Sequence, residues 1–162
     1  MSVQSTPAGY HSVTPYLTAG DAIAAIEFYK AAFGAVETCR LTMPDGSIAH
    51  AEVKIGDSHV MLGQECPAWG NKSPLTLGGT PCGLCVYVPD VDAQFAIAVA
   101  AGAKVEKAIE NQFYGDRSGT VIDPFGHKWT LATHVEDVSL AEMQARMDAW
   151  IASMAPPEAQ AA

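Results

Sequence analysis

The sequence predicts an α+β fold built from two βαβββ modules and a C-terminal helix. The first observation is a weak internal repeat with an offset of about 69 residues, which is typical of two copies of one supersecondary unit. In that repeat Tyr16–Asp21 corresponds to Cys85–Asp90, and each stretch precedes a helical pattern. The second observation is that short apolar stretches bounded by Gly, Pro and Asp follow each helical pattern, as expected for strands joined by turns. The third is a helix-start pattern at Ser139–Glu142.

Module one begins with an apolar, β-branched strand and continues through a helix into three more strands. Asp21 is suited to cap the N-terminus of the helix, and Gly34 is suited to end it in the left-handed conformation. Pro44-Asp45-Gly46 and Gly56-Asp57 predict tight turns between the later strands. The predicted elements are a helix at Ala22–Phe33 and strands at Val13–Thr18, Val36–Met43, Ser47–Ile55 and Ser58–Leu62.

Module two repeats this order. Its predicted elements are a helix at Val91–Ala101 and strands at Gly83–Val88, Lys104–Ile109, Arg117–Ile122 and His127–Ala132. Residues 63–80, rich in Gly and Pro, connect the modules, and a connector of this length is expected to be disordered or to cover a site. The chain is expected to divide into a flexible tail at 1–9, a single domain at 10–137 (module one about 10–64, module two about 81–135), a C-terminal helix at 138–155 and a flexible tail at 156–162.

The C-terminal helix is predicted by Ser139-Leu140-Ala141-Glu142, which has the spacing of a capping box. Apolar residues then recur at helical spacing along one stripe, formed by Leu140, Met143, Met147, Trp150, Ile151 and Met154. This stripe is expected to dock either on the core of its own chain or on a second subunit.

Composition excludes several classes of protein. Hydrophobic residues make up 49% of the 162 residues and charged residues 17%, which excludes a chain without a packed core. The net charge of −9, from 9 Lys and Arg against 18 Asp and Glu, lacks the cationic footprint that nucleic acids and anionic membranes require. No apolar run approaches the roughly 18 residues of a transmembrane helix, and the polar N-terminus lacks the order of a signal peptide. We therefore expect a cytoplasmic protein with reduced cysteines.

The chain resembles the vicinal oxygen chelate superfamily, also called the glyoxalase/bleomycin-resistance/dioxygenase superfamily, and within it the PhnB-like branch. The resemblance is carried by Val13–Leu17, Ala25–Lys30 with Phe33-Gly34, Ile48–Gly56, Phe113–Gly119 and Asp123–His127. It spans about residues 11–137 and implies two βαβββ modules that form a curled mixed sheet, the glyoxalase-like cup, usually in a homodimer. It does not decide the function, because the superfamily contains lyases, epimerases, dioxygenases, antibiotic-modifying enzymes and drug-binding proteins.

In metal-dependent members of the superfamily, the first and fourth strands of each module supply the ligands, typically His, Glu or Gln. The corresponding positions here are Thr14, Met61, Thr130 and a position near Gly83 that becomes Cys82 or Cys85 with a small shift of register. Because Thr, Met and Gly are poor ligands for a hard or borderline divalent ion, we expect no metal at the usual place. The alternative is a divalent metal such as Zn, Ni, Mn or Fe bound elsewhere in the cup.

The candidate catalytic residues are His50, Glu52 and His59. The strand alternation that directs Val53 toward the helices directs His50 and Glu52 toward the cup, and His59 has the same parity as Met61 on the next strand. These side chains are suited to ligate a metal or to act as acid and base. The other interpretation is a hydrogen-bonded His and Glu in a polar pocket or on a solvated sheet face.

A cup without a metal is expected to bind a small organic ligand. The expected ligand-binding residues are Thr14, Tyr16, Met61, Cys85, Tyr87, Tyr114, Arg117 and Thr130. Arg117 is suited to pair with a ligand carboxylate or phosphonate, or else with the neighbouring Asp116 or Glu110. Three functions stay open: a metal-independent small-molecule-binding protein, a lyase, isomerase or dioxygenase that uses the candidate catalytic residues with a divalent metal, and an enzyme that uses only His50, Glu52 and His59 as acid–base groups.

Overall fold

The computed structural model describes residues 3–154, and the predicted tail at 156–162 lies outside them. Module one contains β1 (Tyr16–Ala19), α1 (Ala22–Phe33), β2 (Val36–Thr42), β3 (Ile48–Ile55) and β4 (Ser58–Gln64). The connector holds a turn of 3-10 helix at Pro67–Trp69 and the short α2 (Pro74–Leu77). Module two contains β5 (Gly83–Tyr87), α3 (Val91–Ala100), β6 (Lys104–Asn111), β7 (Asp116–Ile122) and β8 (Lys128–His134), and α4 (Leu140–Met154) follows it. None of the helices within residues 3–154 is long and apolar enough to cross a membrane.

The two modules have the same strand order and directions. Sheet one is ordered β1-β4-β3-β2 and sheet two β5-β8-β7-β6. In each sheet the first strand pairs with the last in parallel, and the other pairs are antiparallel. The predicted α+β class and the βαβββ modules are therefore confirmed. The two modules do not share one continuous sheet, however, because within residues 3–154 no strand of sheet one pairs with a strand of sheet two.

The modules are joined through their helices. Asp21 and Asp90 cap the N-termini of α1 and α3, and these two helices pack against each other and against their own sheets. The ring of Trp129, on β8, packs between the modules on Tyr29 and Phe33 of α1, with ring centroids 5.3 and 4.7 Å away. The core therefore lies between the helices and the sheet faces that they cover, which leaves the opposite face of each sheet available for a site.

Two predictions about module one and the connector differ from the structure for physical reasons. β1 begins at Tyr16 rather than Val13, because Pro15 has no amide hydrogen to donate to a ladder. Val13 is accordingly exposed. Of the two alternatives expected for the connector, disorder is contradicted, since Ser73 is buried and its hydroxyl accepts the amide hydrogen of Thr76 at the start of α2.

α4 buries none of its residues. Ser139 caps the helix as predicted. The guanidinium of Arg146 donates to the Glu136 carboxylate at 2.7 and 2.8 Å, and Trp150 stacks on Phe113 with ring centroids 6.1 Å apart. The helix is thus attached by a few contacts near its own linker. Its apolar stripe does not dock on the core of its own chain.

Candidate functional site

Five predicted site residues lie on the face of sheet one that points away from the helices, which we call the open face of sheet one. They are Tyr16, His50, Glu52, His59 and Met61. The strand register brings them together, since Met61 pairs with Tyr16 on one side and with Glu52 on the other. Ala51 and Val53, with the opposite parity on β3, are completely buried. Alternation along β3 therefore directs the polar side chains toward the outside of the molecule.

Hydrogen bonds link Tyr16, His50 and Glu52 in a chain. Tyr16 Oη lies 3.1 Å from His50 Nδ1, and His50 Nε2 lies 3.0 Å from Glu52 Oε1. The hydrogen bond from Tyr10, assisted by that from His50, lowers the pKa of Glu52, which is therefore ionised at neutral pH. Because a carboxylate only accepts, Nε2 of a neutral His50 carries the hydrogen and Nδ1 accepts from Tyr16. The hydroxyl of Tyr16, a half-exposed residue, thus lies at the end of an ordered acid–base chain.

Tyr10 lies across the open face of sheet one, although it belongs to a segment without helix or strand. Its ring stacks on His59, with centroids 4.1 Å apart and planes at 11°. Its hydroxyl donates to Glu52, which raises the pKa of Tyr10 to about 12. His59 Nδ1 lies 3.1 Å from the carbonyl oxygen of Gly9 and must carry its hydrogen, because a carbonyl only accepts. Sequence reasoning missed Tyr10, since 42 residues separate it from Glu52 and no periodicity connects them.

Sheet two has an equivalent surface, which we call its open face, formed by Cys85, Tyr87, Asp116, Thr130 and His134. Tyr87 donates to Asp116 at 2.7 Å, which raises the pKa of Tyr87 to about 12. Hydrogen bonds to Asp116 and Asp137, of 2.8 and 3.0 Å, raise the pKa of His134. Burial, together with the nearby Asp116, raises the pKa of Cys85, which favours the unreactive thiol. The importance of Asp116 and His134 was not visible in the sequence, because their partners lie on other strands or loops.

A cavity of about 580 Å³, here called the inter-module cavity, opens between the N-terminal segment, the β3–β4 turn and β5. Four of the predicted site residues line it: Thr14, His59, Cys85 and Tyr87. Its apolar lining comes from Val13, Pro15, Ile55, Val60, Leu84, Val86 and Trp129. A concave space of this size, mostly apolar with a few polar groups, is suited to a small organic molecule.

A second cavity of about 570 Å³ lies against sheet two. The predicted residues Tyr114 and Thr130 line it. Phe113 and Trp150 contribute aromatic surface to the same cavity, and Lys107 contributes a positive charge. Apart from Arg117, the predicted ligand-binding residues are therefore distributed over the open face of sheet one and two separate cavities, instead of surrounding a single cup.

Arg117 lies away from both cavities. Its guanidinium donates to the carboxylate of Asp92 at 2.7 and 2.6 Å and to the side-chain oxygen of Asn111 at 3.2 Å. Asp92 belongs to α3, so Arg117 points to the helix side of sheet two while its neighbour Asp116 points to the open face. The observed partner is neither Asp116 nor Glu110, because α3 packs across β7 and brings a carboxylate from a distant part of the chain.

The histidines on the open face of sheet one, which are the candidate ligands of a divalent metal, are already bonded to other groups of the chain. Within residues 3–154, no three His, Cys, Asp or Glu side chains are arranged to hold a metal ion. The ring nitrogens of His50 are occupied by Tyr16 and Glu52, and Nδ1 of His59 is occupied by the Gly9 carbonyl. Replacing those partners with a metal would require the open face of sheet one to rearrange.

Comparison with known proteins agrees with the fold described above. The family described as Glyoxalase/Bleomycin resistance protein/Dioxygenase superfamily matches residues 9–131. An uncharacterized protein of Mycobacterium tuberculosis (strain ATCC 25618 / H37Rv) is 45% identical over 150 residues, covering 91% of this chain and 86% of its own. Among solved structures, TioX from Micromonospora sp. ML1 superposes with a TM-score of 0.61 at 27% identity, covering 77% of this chain and 99% of TioX. A PhnB protein from Bacillus cereus shares the fold, with a TM-score of 0.59 at 17% identity and coverage of 76% and 99%. The chain belongs to the glyoxalase/bleomycin resistance protein/dioxygenase superfamily.

Proposed function

We propose that this protein binds a small organic molecule in the inter-module cavity and does so without the usual metal of the superfamily. The observation that carries the proposal is the cavity itself, whose volume of about 580 Å³ lies in the range of small-molecule sites. Its apolar lining provides area for a hydrophobic or aromatic group. Polar side chains in its lining, including those of Thr14, His59 and Tyr87, provide the few directional contacts that orient a ligand.

A tryptophan in place of Thr14 should block this cavity. We expect Thr14→Trp to weaken binding of a compound at least about tenfold, equivalent to about 1.4 kcal/mol of binding free energy. Suitable compounds are found by ligand-observed NMR with a collection of small aromatic and carboxylate molecules, and their affinities are measured by titration calorimetry. Thr42→Trp is the matched control, because Thr42 is exposed at the end of β2.

Two outcomes would contradict binding in the inter-module cavity. One is that no compound binds the wild-type protein saturably. The other is that the Thr14→Trp and Thr42→Trp proteins bind the compounds equally well, which would move the ligand to another surface.

The same proposal includes the branch of the superfamily, the oligomeric state and the cellular compartment of the protein. The PhnB-like stretches of the sequence favour that branch. The exposed apolar stripe of α4 favours a homodimer in which a second copy covers it. Light scattering at micromolar concentration should then give twice the monomer mass, and a monomer would contradict the dimer.

All four cysteines lie within the described residues and are free thiols, which fits the reducing cytoplasm.

An enzyme is the second candidate, because Tyr16, His50 and Glu52 form an ordered hydrogen-bonded chain. Such a chain is suited to move a proton to or from a bound ligand, as in a lyase or isomerase reaction. The metal-dependent form of this candidate, a lyase, isomerase or dioxygenase using His50, Glu52 and His59, requires a divalent ion. Elemental analysis of the purified protein separates the two forms. Stoichiometric Zn, Ni, Mn or Fe that is lost in the His50→Ala protein would favour the metal-dependent enzyme over the binding protein.

A further inference from the structure

The phenol of Tyr10 is held like a bound molecule on the open face of sheet one. One side of its ring lies on the imidazole of His59, nearly parallel at 11° and with the centroids 4.1 Å apart. Its hydroxyl donates to the carboxylate of Glu52. The two contacting groups come from β4 and β3, whereas Tyr10 comes from the segment before β1, which contains no helix or strand. The sheet therefore presents two groups that fit a phenol: the imidazole of His59 for its ring, and the carboxylate of Glu52 for its hydroxyl.

We propose that Tyr10 is an intramolecular stand-in for a ligand, namely a planar aromatic compound that carries a hydroxyl group, and that such a ligand binds by displacing Tyr10. The inference rests on the proposed function, since it names the class of small molecule that the site accepts. His59 connects the two sites, because it contacts Tyr10 and also lines the inter-module cavity. A ligand larger than phenol therefore has room to extend from His59 into that cavity.

The surrounding groups select for a neutral hydroxyl on the ring. Glu52 is ionised and only accepts hydrogen bonds, so it requires a donor and repels a carboxylate or a phenolate. His50 Nε2 already donates to one oxygen of Glu52, which leaves the other oxygen for the hydroxyl of Tyr10. The imidazole face of His59 supplies stacking area for an aromatic ring. An aromatic ring without a hydroxyl satisfies only the last of these requirements.

Tyr10 is also placed to leave easily. Residues 3–15 contain no helix or strand, and the flanking Val3 and Val13 are 95% and 84% exposed. A segment with so little burial opens at a small cost in free energy compared with the folded core. A ligand must nevertheless compete with a phenol attached to the same chain, whose effective concentration is high. Removing the Tyr10 ring should therefore strengthen binding of a free phenol.

The test uses 4-methylphenol, which is the detached side chain of tyrosine, and compares it with toluene. We expect the Tyr10→Ala protein to bind 4-methylphenol at least about tenfold more tightly than the wild type does. In that variant toluene should bind at least about tenfold more weakly than 4-methylphenol, because a charge-assisted hydrogen bond to Glu52 is lost. Affinities and the site are measured by NMR titration of the imidazole resonances of His59, whose ring-current shift should disappear in Tyr10→Ala and return with 4-methylphenol.

Two further variants make the test specific. Tyr10→Ala combined with Glu52→Met keeps the approximate length of the side chain but removes the acceptor, and it should abolish the preference for 4-methylphenol over toluene. Trp69→Ala removes an exposed aromatic ring from the connector, outside both cavities, and should not strengthen binding. Far-UV circular dichroism confirms that each variant is folded.

The inference is overturned if Tyr10→Ala binds 4-methylphenol no more tightly than the wild type, or binds toluene equally well. Its failure is distinguishable from failure of the proposed function. Compounds whose binding is sensitive to Thr14→Trp would still support a small-molecule site in the inter-module cavity, whereas the absence of both effects would remove both proposals.

Discussion

Replacing Asp123 with alanine should lower the free energy of unfolding by about 3–5 kcal/mol, because several buried donors lose their shared acceptor and each such loss costs about 1–3 kcal/mol before the site relaxes. The carboxylate of Asp123 is completely buried and accepts hydrogen bonds from both modules. Its donors are the Tyr29 hydroxyl, the Trp129 indole, the His127 ring and the backbone amides of Phe125 and His127, at 2.8–3.2 Å. Alanine would leave these buried donors without an acceptor.

Urea unfolding at neutral pH, followed by tryptophan fluorescence, measures this change. Asp45→Ala is the matched control, because Asp45 also accepts hydrogen bonds within a Pro- and Gly-containing turn but is exposed. We expect the control to lose less than about 1 kcal/mol. Equal losses for the two variants would show that the Asp123 network contributes no more than an ordinary surface turn.

Trp129→Ala should destabilise the protein by a similar amount, about 3–5 kcal/mol, because it removes a large buried ring and leaves a cavity. Trp129 is 1% exposed and contacts Tyr29 and Phe33 of the other module. Its loss therefore weakens the core and the attachment between the modules at the same point. Chemical unfolding of the wild type and the variant, analysed with a common m-value, gives the difference.

Trp150→Ala is the natural comparison, since it deletes the same side chain from α4. Trp150 is 50% exposed and lies on a helix that buries none of its residues. The expected change at low protein concentration is within about 0.5 kcal/mol, as for a surface substitution. A loss as large as that of Trp129→Ala would contradict the description of α4 as a helix that only a few contacts attach to its own chain.

The elements of this protein are determined largely by local sequence. Asp21 and Asp90 cap the two module helices, and Gly34 ends α1 with a φ of 65°, a conformation that glycine adopts without strain. Because successive side chains of a strand point to opposite faces, the sequence Ile48–Ile55 was enough to place His50 and Glu52 on the face opposite the helices. These features depend on residues within about one turn of helix or one strand of each other, so they can be predicted from spacing alone.

The partners of the site residues were decided only by the tertiary structure. Tyr10 meets Glu52 and His59 because the N-terminal segment folds back over sheet one, and Arg117 meets Asp92 because α3 packs across sheet two. Within residues 3–154 the two sheets are separate while α1 packs on α3, an arrangement that no repeat in the sequence reveals. In each case the contact joins groups far apart along the chain. Its formation depends on how the whole core packs, whereas a sequence pattern reports only the geometry of neighbouring residues.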